Sequence, residues 1–506
     1  MIGAVKAHLP VLLIAVPLLA APLCALFRHP LFAWGLSMLV TAAAFAGALG
    51  LLAMVMAGGP LSYHLGGWAP PWGIEFRLDA VNAIILVIVA GVGAVTMAYA
   101  RASVGQEISR AAQPLFYTAM LLCFAGLMGV AATGDAFNLF VFLEISSLSS
   151  YVIIAMGAER DKRALTSAYT YLVMGTIGAT FYVIGIGLIY SVTGTLNMAD
   201  MAARIAELEQ TRTIPVAFAF IMVGLALKLA MYPLHLWLPN AYTYAPTVVT
   251  AFLGATSTKV AGYASLRFIY TVFAADFAFE ERTLLFLFLP LGLVAMFASS
   301  AVAIFQSDVK RLLAYSSIAQ VGYMVLGVSY GNVTGLSATI LHLFNHALMK
   351  GGLFLAVGCV VFRLGSHSIE SFRGLGRQMP WTMAAFVIGG LGLIGVPATV
   401  GFVSKWYLVL GAFERGWWPV ALLIVASSLL AIIYVWRVVE TAYLQPAPAG
   451  RTVKEAPLSL LLPCWALILA CVVFGVYADP TVTIAKTAAQ SLFFDPGAGL
   501  PVRDGP

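Results

Sequence analysis

Apolar residues fill this chain in runs of about 20, the length that crosses a bilayer as a helix, and polar residues gather in the gaps between the runs. The runs fall at about 9–27, 31–57, 81–100, 113–132, 136–157, 164–193, 214–238, 244–272, 284–306, 311–329, 334–362, 381–410, 418–444 and 457–477. This pattern predicts an all-α, polytopic membrane protein of about fourteen transmembrane helices. The long polar connection near the start, 58–79, holds Pro60, Pro70, Pro71 and Trp72. Loop 194–213 carries Asp200, Arg204, Glu207, Glu209 and Arg212. No stretch between helices is long enough to fold as a soluble domain.

Composition agrees. Of the 506 residues, 61% are hydrophobic and 9% charged, against about 25% charged in soluble domains. A soluble chain of this length would need far more polar surface. The net charge of +6 implies no nucleic-acid partner, because Lys and Arg spread over short loops are what membrane insertion requires. With the N-terminus outside, fourteen Lys and Arg fall in inside loops, among them Arg110, Arg160, Lys162, Arg163, Lys310 and Arg311. Eight fall outside, including Lys6, Arg282 and Arg503. The bias favours both termini outside a cell inner (plasma) membrane. The five cysteines, Cys24, Cys123, Cys359, Cys464 and Cys471, all lie in apolar segments and read as small buried hydrophobes. Segment 9–27 has no small-residue cleavage site after it and is expected to be a retained first helix.

The chain also echoes itself. Residues 146–157 read SSLSSYVIIAMG and residues 316–327 read SSIAQVGYMVLG. Two helices beyond each copy lies a segment with a buried lysine and a helix-breaking proline: Lys228 with Pro233, and Lys405 with Pro397. The copies sit five helices apart, and an odd number gives opposite orientations, as in many transporters. The expected divisions are a three-helix N-terminal segment (1–112), a first repeat (113–272), a second repeat (284–444) and a C-terminal helix (457–477).

Ionisable groups at mid-bilayer cost roughly 2.5–3.5 kcal/mol each on insertion scales, so they stay rare unless they pair or line a wet path. Here they form a series. Glu144 lies deep in FNLFVFLEISSLSSY, as a hydrogen-bonded structural carboxyl, a proton or cation relay, or a counter-charge for a lysine. Asp135 at the preceding helix start reads as a cap. Lys228 lies in GLALKLAMYPLHLWLPNAY, about ten residues from either helix end, too deep for easy snorkelling. A buried lysine cycles readily between charged and neutral forms. His235 follows by seven residues, about two turns along the same face, as a proton shuttle or an interfacial histidine. Lys259 sits among Thr256, Ser257 and Thr258, small polar neighbours that permit close approach and hydration. Arg267, nearer the helix end, reads as an anchor. His342, His346 and Lys350 stand at i, i+4 and i+8, one helical stripe; Asn345 lies off it. Two histidines so spaced could hold Zn²⁺, but no third ligand is visible and no metal is expected. Lys405 follows the break at Gly395, Pro397 and Gly401. No nucleophile elbow, phosphate loop or dinucleotide fingerprint accompanies these residues, and no cofactor is expected.

The runs TGDAFNLFVFLEISSLSSYVIIAMG, GLALKLAMYPLHLWLPNAYTYAPTVVTAFLGATSTKVAGY, KRLLAYSSIAQVGYMVLG, ILHLFNHALMKGGLFL and GVPATVGFVSKWYLV resemble the antiporter-like superfamily. It comprises the proton-pumping membrane subunits of NADH–quinone oxidoreductase (complex I), membrane hydrogenases and Mrp-type cation/proton antiporters. The resemblance covers roughly residues 80–440 and is strongest to the D subunit of Mrp antiporters. It implies two inverted five-helix repeats with helices seven and twelve broken. It implies that Glu144 pairs with Lys228, and that Lys259 and the histidine-bearing helix link that half to Lys405. Members of one branch carry Glu where Lys405 stands, and this chain fits that branch less well. Neither the long lateral helix of the largest complex I subunit nor the large extension of the Mrp A subunit is seen.

The expected function is therefore a proton-translocating membrane subunit of a multisubunit Na⁺ or K⁺/H⁺ antiporter. The alternative is a proton-pumping subunit of an NADH–quinone oxidoreductase or membrane hydrogenase complex. Either way the partners are H⁺, Na⁺ or K⁺, the lipid bilayer and other membrane subunits, and the chain holds no redox centre of its own.

Overall fold

The computed structural model describes residues 7–208, 211–273 and 282–494; Lys6, Glu209 and Arg503 lie outside the described residues. The first part of the chain runs through α1 (Leu9–Phe27), α2 (Pro30–Gly58), β1 (Leu61–His64), β2 (Glu75–Leu78), α3 (Ala80–Glu107), α4 (Gln113–Ala132), α5 (Ala136–Ala155), α6 (Arg163–Thr193) and α7 (Met198–Glu207). Next come α8 (Thr213–Leu229), α9 (Trp237–Tyr244), α10 (Thr247–Arg267), α11 (Leu289–Ile304), α12 (Val309–Ser329) and α13 (Val333–Leu364). The last are α14 (Pro380–Ile394), α15 (Val400–Glu414), α16 (Trp418–Tyr443), α17 (Leu458–Val476) and α18 (Asp479–Phe494). The fold is thus nearly all α.

Among the described residues, eleven helices are long and apolar enough to cross a membrane. The expected spans missing from that set are the two interrupted ones and the polar, lysine-bearing α10. In hydrocarbon no water satisfies a backbone group, so a continuous helix is the default crossing. Its outward face can then stay apolar: Leu19, Leu26, Leu422, Val425 and Leu429 are all exposed, while the charged series points inward.

Polar caps fix where helices begin. Asp79 accepts from Val81 N and Asn82 N, and the Asn82 side chain accepts from Asp79 N, a reciprocal capping box on α3. Asp135 caps α5 through Asn138 N at 2.7 Å, and Asp308 caps α12 through Arg311 N at 3.0 Å. Each of these two aspartates also bridges to the chain following a later helix, Asp135 to Asn197 and Asp308 to Ser368. The same device therefore recurs in the two halves of the chain. The serine echo is not in register with it. Ser146 lies eleven residues beyond Asp135, whereas Ser316 lies eight beyond Asp308. Close crossings rest on small residues: a Cβ at Gly322 would come 2.8 Å from the Gly292 carbonyl oxygen across the α11–α12 contact.

Four features depart from the sequence reading. Segment 58–79 contains an antiparallel hairpin, with Leu61 opposite Leu78 and His64 opposite Glu75. Loop 194–213 contains α7, which buries Met201, Ala202 and Ile205 and pairs Arg204 with Asp200 at 3.0 Å. The helix α18 packs beyond the last expected span. Finally, Arg267 is no headgroup anchor. It is buried, ion-paired to Asp79 Oδ1 at 2.5 Å, and its Nε donates to Tyr263 OH at 3.1 Å. It also contacts Asn82 Oδ1, and the Asn82 amide donates to Ala131 O and to Tyr263 OH, each at 2.6 Å. This cluster ties α3, α4 and α10 together.

Breaking one side of a buried pair leaves the other charge uncompensated, at a cost of roughly 3–5 kcal/mol. Arg267→Met should therefore lower the thermal unfolding midpoint of the detergent-purified protein sharply. Adding Asp79→Asn to it should recover part of the loss; equal midpoints for Arg267→Met and the parent protein would show that the pair is not stabilising.

Candidate functional site

Two interrupted crossings position the first and last lysines of the series. The chain leaves helical geometry after Leu229 with Ala230 at φ 58°, passes Pro233 and resumes at Trp237. The Trp237 indole donates to Leu227 O at 2.9 Å, covering one of the carbonyls freed at the break. The second interruption follows Ile394, with Gly395 at φ 89° and Ala398 at φ 67°, and helix resumes at Val400 beyond Pro397.

Lys228, in the last turn of α8, donates to Ser147 Oγ at 2.6 Å and to Glu144 Oε1 at 3.3 Å on α5. The lysine side chain is 6% exposed and the carboxylate 24%. The pair implied by the resemblance is thus present, with its carboxylate toward the chain's outer surface and its ammonium inside. A small cavity of about 10 Å³ adjoins Lys228, lined by Ser146, Ser147, Ser150, Tyr171 and, from α10, Ser257. That is roughly the space one water needs, with the polar partners to hold it.

Lys259 on α10 is fully buried; it contacts Gly254 O and donates to Thr258 Oγ1 at 3.3 Å. Packed against α10 is α13, which carries the histidine stripe. Lys259 is within electrostatic reach of His342, His346 and Lys350. The His342 and His346 rings lie parallel, 5.9 Å between centroids with planes 4° apart. Both nitrogens of His346 and Nε2 of His342 lack a hydrogen-bond partner among the described residues. Lys350 donates to Leu313 O at 2.8 Å and contacts Ser316 Oγ, both on α12.

The stripe reaches the second interruption directly. His342 Nδ1 lies 2.8 Å from Ser404 Oγ, the neighbour of Lys405. Asn345, off the stripe, donates to Val400 O at 2.7 Å and so ties α13 to the start of α15. Lys405 Nζ donates to Leu393 O at 2.9 Å, Ile394 O at 3.0 Å and Ser428 Oγ at 3.0 Å. It also stands 4.7 Å from the centre of the Tyr323 ring, itself 5.8 Å from the His342 ring. Free carbonyls at a helix C-terminus and an aromatic face both favour a cation. No carboxylate pairs with Lys405 among the described residues.

The structure therefore gathers Glu144, Lys228, Lys259, His342, His346, Lys350 and Lys405 in the interior of adjoining helices. His235 is placed differently from its expected position. Because α8 ends at Leu229, His235 belongs to the interruption rather than to the Lys228 face. It is buried, stacks on Tyr232 at 5.1 Å, and its Nδ1 has no partner among the described residues. The sequence reading placed Thr258 beside Lys259 but missed the hydroxyls that hold the other lysines: Ser147, Ser316 and Ser428. The signal was the Ser-Ser pairs in apolar helices, noted as a repeat and not as partners.

Similarity to known proteins agrees with this geometry. Residues 132–431 match the family model described as NADH:quinone oxidoreductase/Mrp antiporter, TM. The chain is 41% identical over 494 residues to the N subunit of NADH-quinone oxidoreductase of Desulforudis audaxviator, covering 94% of this chain and 97% of that one. It is 31% identical over 447 residues to the D subunit of the Na(+)/H(+) antiporter of Bacillus subtilis, covering 87% and 88%. Its fold superposes on a chain of the Mrp complex from Dietzia sp. with a TM-score of 0.88 at 26% identity, covering 97% of this chain and 98% of that chain. The match spans three-fifths of the chain and both interrupted crossings, so the chain belongs to the NADH:quinone oxidoreductase/Mrp antiporter transmembrane family.

Proposed function

We propose that this chain is the proton-translocating membrane subunit of a multisubunit Na⁺ or K⁺/H⁺ antiporter, seated in the inner (plasma) membrane with both termini outside. The observation that carries the reading is the buried series itself. Among the described residues every lysine in it is held by a hydroxyl, only Lys228 has a carboxylate, the other three also take carbonyls, and the histidine stripe joins Lys350 to the Lys405 end. In a low-dielectric interior Glu144⁻ and Lys228⁺ stabilise one another. When they separate, Lys228 loses its counter-charge and releases its proton. The proton passes to Lys259, to water on the open nitrogens of His342 and His346, and on to Lys405. Each transfer is driven by the charge that has just arrived or left next door. His235, in the first break and with its Nδ1 unpartnered among the described residues, is the side branch through which Lys228 exchanges protons with the surface.

A second reading, a proton-pumping subunit of an NADH–quinone oxidoreductase-like complex, is favoured by the 41% identity to an N subunit of such an enzyme. The same channel would serve, with electron transfer in other subunits as the driving force. Purification of the assembly from its native membrane separates the two by iron content and absorbance.

Glu144→Ala and Lys228→Ala should each lower Na⁺- or K⁺-dependent proton exchange in vesicles by about tenfold or more while the complex still assembles, since either change leaves one ion of a buried pair alone. Normal exchange in both would refute the pair's role.

A lysine that only holds charge tolerates arginine, whereas one that must give up its proton does not, because guanidinium stays protonated. Lys259→Arg and Lys405→Arg should therefore assemble yet fail to exchange; retained exchange in these variants would make the lysines fixed charges and not carriers.

A further inference from the structure

At the Arg- and Lys-rich end of the helices lies a polar cavity of about 140 Å³, walled by Glu107, Arg160, Asp161, Thr243, Lys310 and His367. Its size and polar walls suit several waters. It shares Glu107 and Arg160 with an open groove of about 600 Å³ that also contains Glu159 and Arg110. The groove and the cavity are therefore neighbours that share a wall. Both sit where α3, α10, α12 and α13 have their ends, on the loops that the sequence assigned to one side by charge alone.

Lys310 is the unusual member. Its place in a KR pair at a helix start suggested an exposed loop charge, yet it is 3% exposed and donates to Ala245 O at 2.7 Å. Its own helix, α12, connects it to the stripe. Leu313, one turn further along, supplies the carbonyl that accepts from Lys350, and Ser316, another turn on, contacts the same ammonium. At the mouth, His367 pairs with Asp308, the cap of that helix. Glu107 is engaged at the opposite wall, accepting from Thr247 N at 2.9 Å and Thr247 Oγ1 at 3.3 Å.

We infer that this chamber is the aqueous entrance through which protons reach the histidine–lysine stripe, with Lys310 as the relay between chamber water and Lys350. This rests on the transport reading above and adds a route of access to it. A hydronium in the chamber gives its proton to a neutral Lys310 amine and leaves as water. The proton then moves from Lys310 to the neutral amine of Lys350, returning Lys310 to its starting form. The walls suit a proton and not an alkali cation. Arg160 repels a metal ion, and Glu107 already serves the first turn of α10. A hard cation requires a shell of free oxygens, and here an amine stands in the way.

The test uses the assembled complex in membrane vesicles and a single cysteine in the chamber wall, Val361→Cys, with the parent protein as control for the five buried native cysteines. A membrane-impermeant, cationic methanethiosulfonate is applied to each face in turn, and each variant's own rate before modification is the reference. Modification from the Arg160-bearing face alone should cut exchange by about tenfold or more, because a bulky fixed charge closes a narrow aqueous path. Ser62→Cys on the hairpin, modified from the other face, should leave exchange unchanged. Lys310→Arg should assemble and show a comparable loss. The inference is overturned if Val361→Cys is modified without loss of exchange, is reached only from the opposite face, or is reached from neither. Lys259→Arg separates this failure from that of the wider reading. If it blocks exchange while the modified chamber does not, the path stands and only this entrance falls.

Discussion

A charge inside hydrocarbon must find a partner or give up its proton, and the interior of this protein is arranged around that requirement. Among the described residues, Lys228, Lys259, Lys350 and Lys405 lie at or below 6% exposure deep within helices expected to cross the membrane. Each has been given oxygens: a carboxylate and a serine for Lys228, a carbonyl and a threonine for Lys259, a carbonyl and a serine for Lys350, two carbonyls and a serine for Lys405. Uncharged oxygens stabilise an ammonium less than a carboxylate does. They hold the lysine without fixing its proton, and a relay needs that balance.

The two helix interruptions serve the same requirement. A continuous helix spends most of its carbonyls on itself, and a break frees several together for side chains. At the second break the freed carbonyls of Leu393 and Ile394 point to Lys405. At the first, the freed Leu227 carbonyl is taken by the Trp237 indole, and the lysine turns instead to the hydroxyls and carboxylate of α5. The halves thus use one architectural device with different donors and acceptors.

Much of this was legible along the chain. Long apolar runs identified the crossings because hydrocarbon thickness sets their length, and buried lysines stood out because nothing bland places them so deep. What escaped had physical reasons. The strands of the hairpin are four residues each, too short for alternation to register. His235 was placed on the Lys228 face because a period of 3.6 was extended through a break that begins at Ala230. Lys310 and Arg267 were read as a loop charge and an anchor. Nearness to a helix end says nothing of whether a neighbouring segment covers it, and Asp79 and Ala245, their partners, lie 188 and 65 residues away in sequence. The serine echo slips by nearly one turn against the aspartate caps that recur in the two halves.

The unequal partners of Lys228 and Lys405 have an electrical consequence. Discharging the first lysine uncovers a bare anion, whereas discharging the second uncovers only neutral dipoles. The two breaks consequently rest at unequal charge once emptied, one negative and one neutral. Among the described residues a single glutamate, beside Lys228 and with no counterpart beside Lys405, makes that difference.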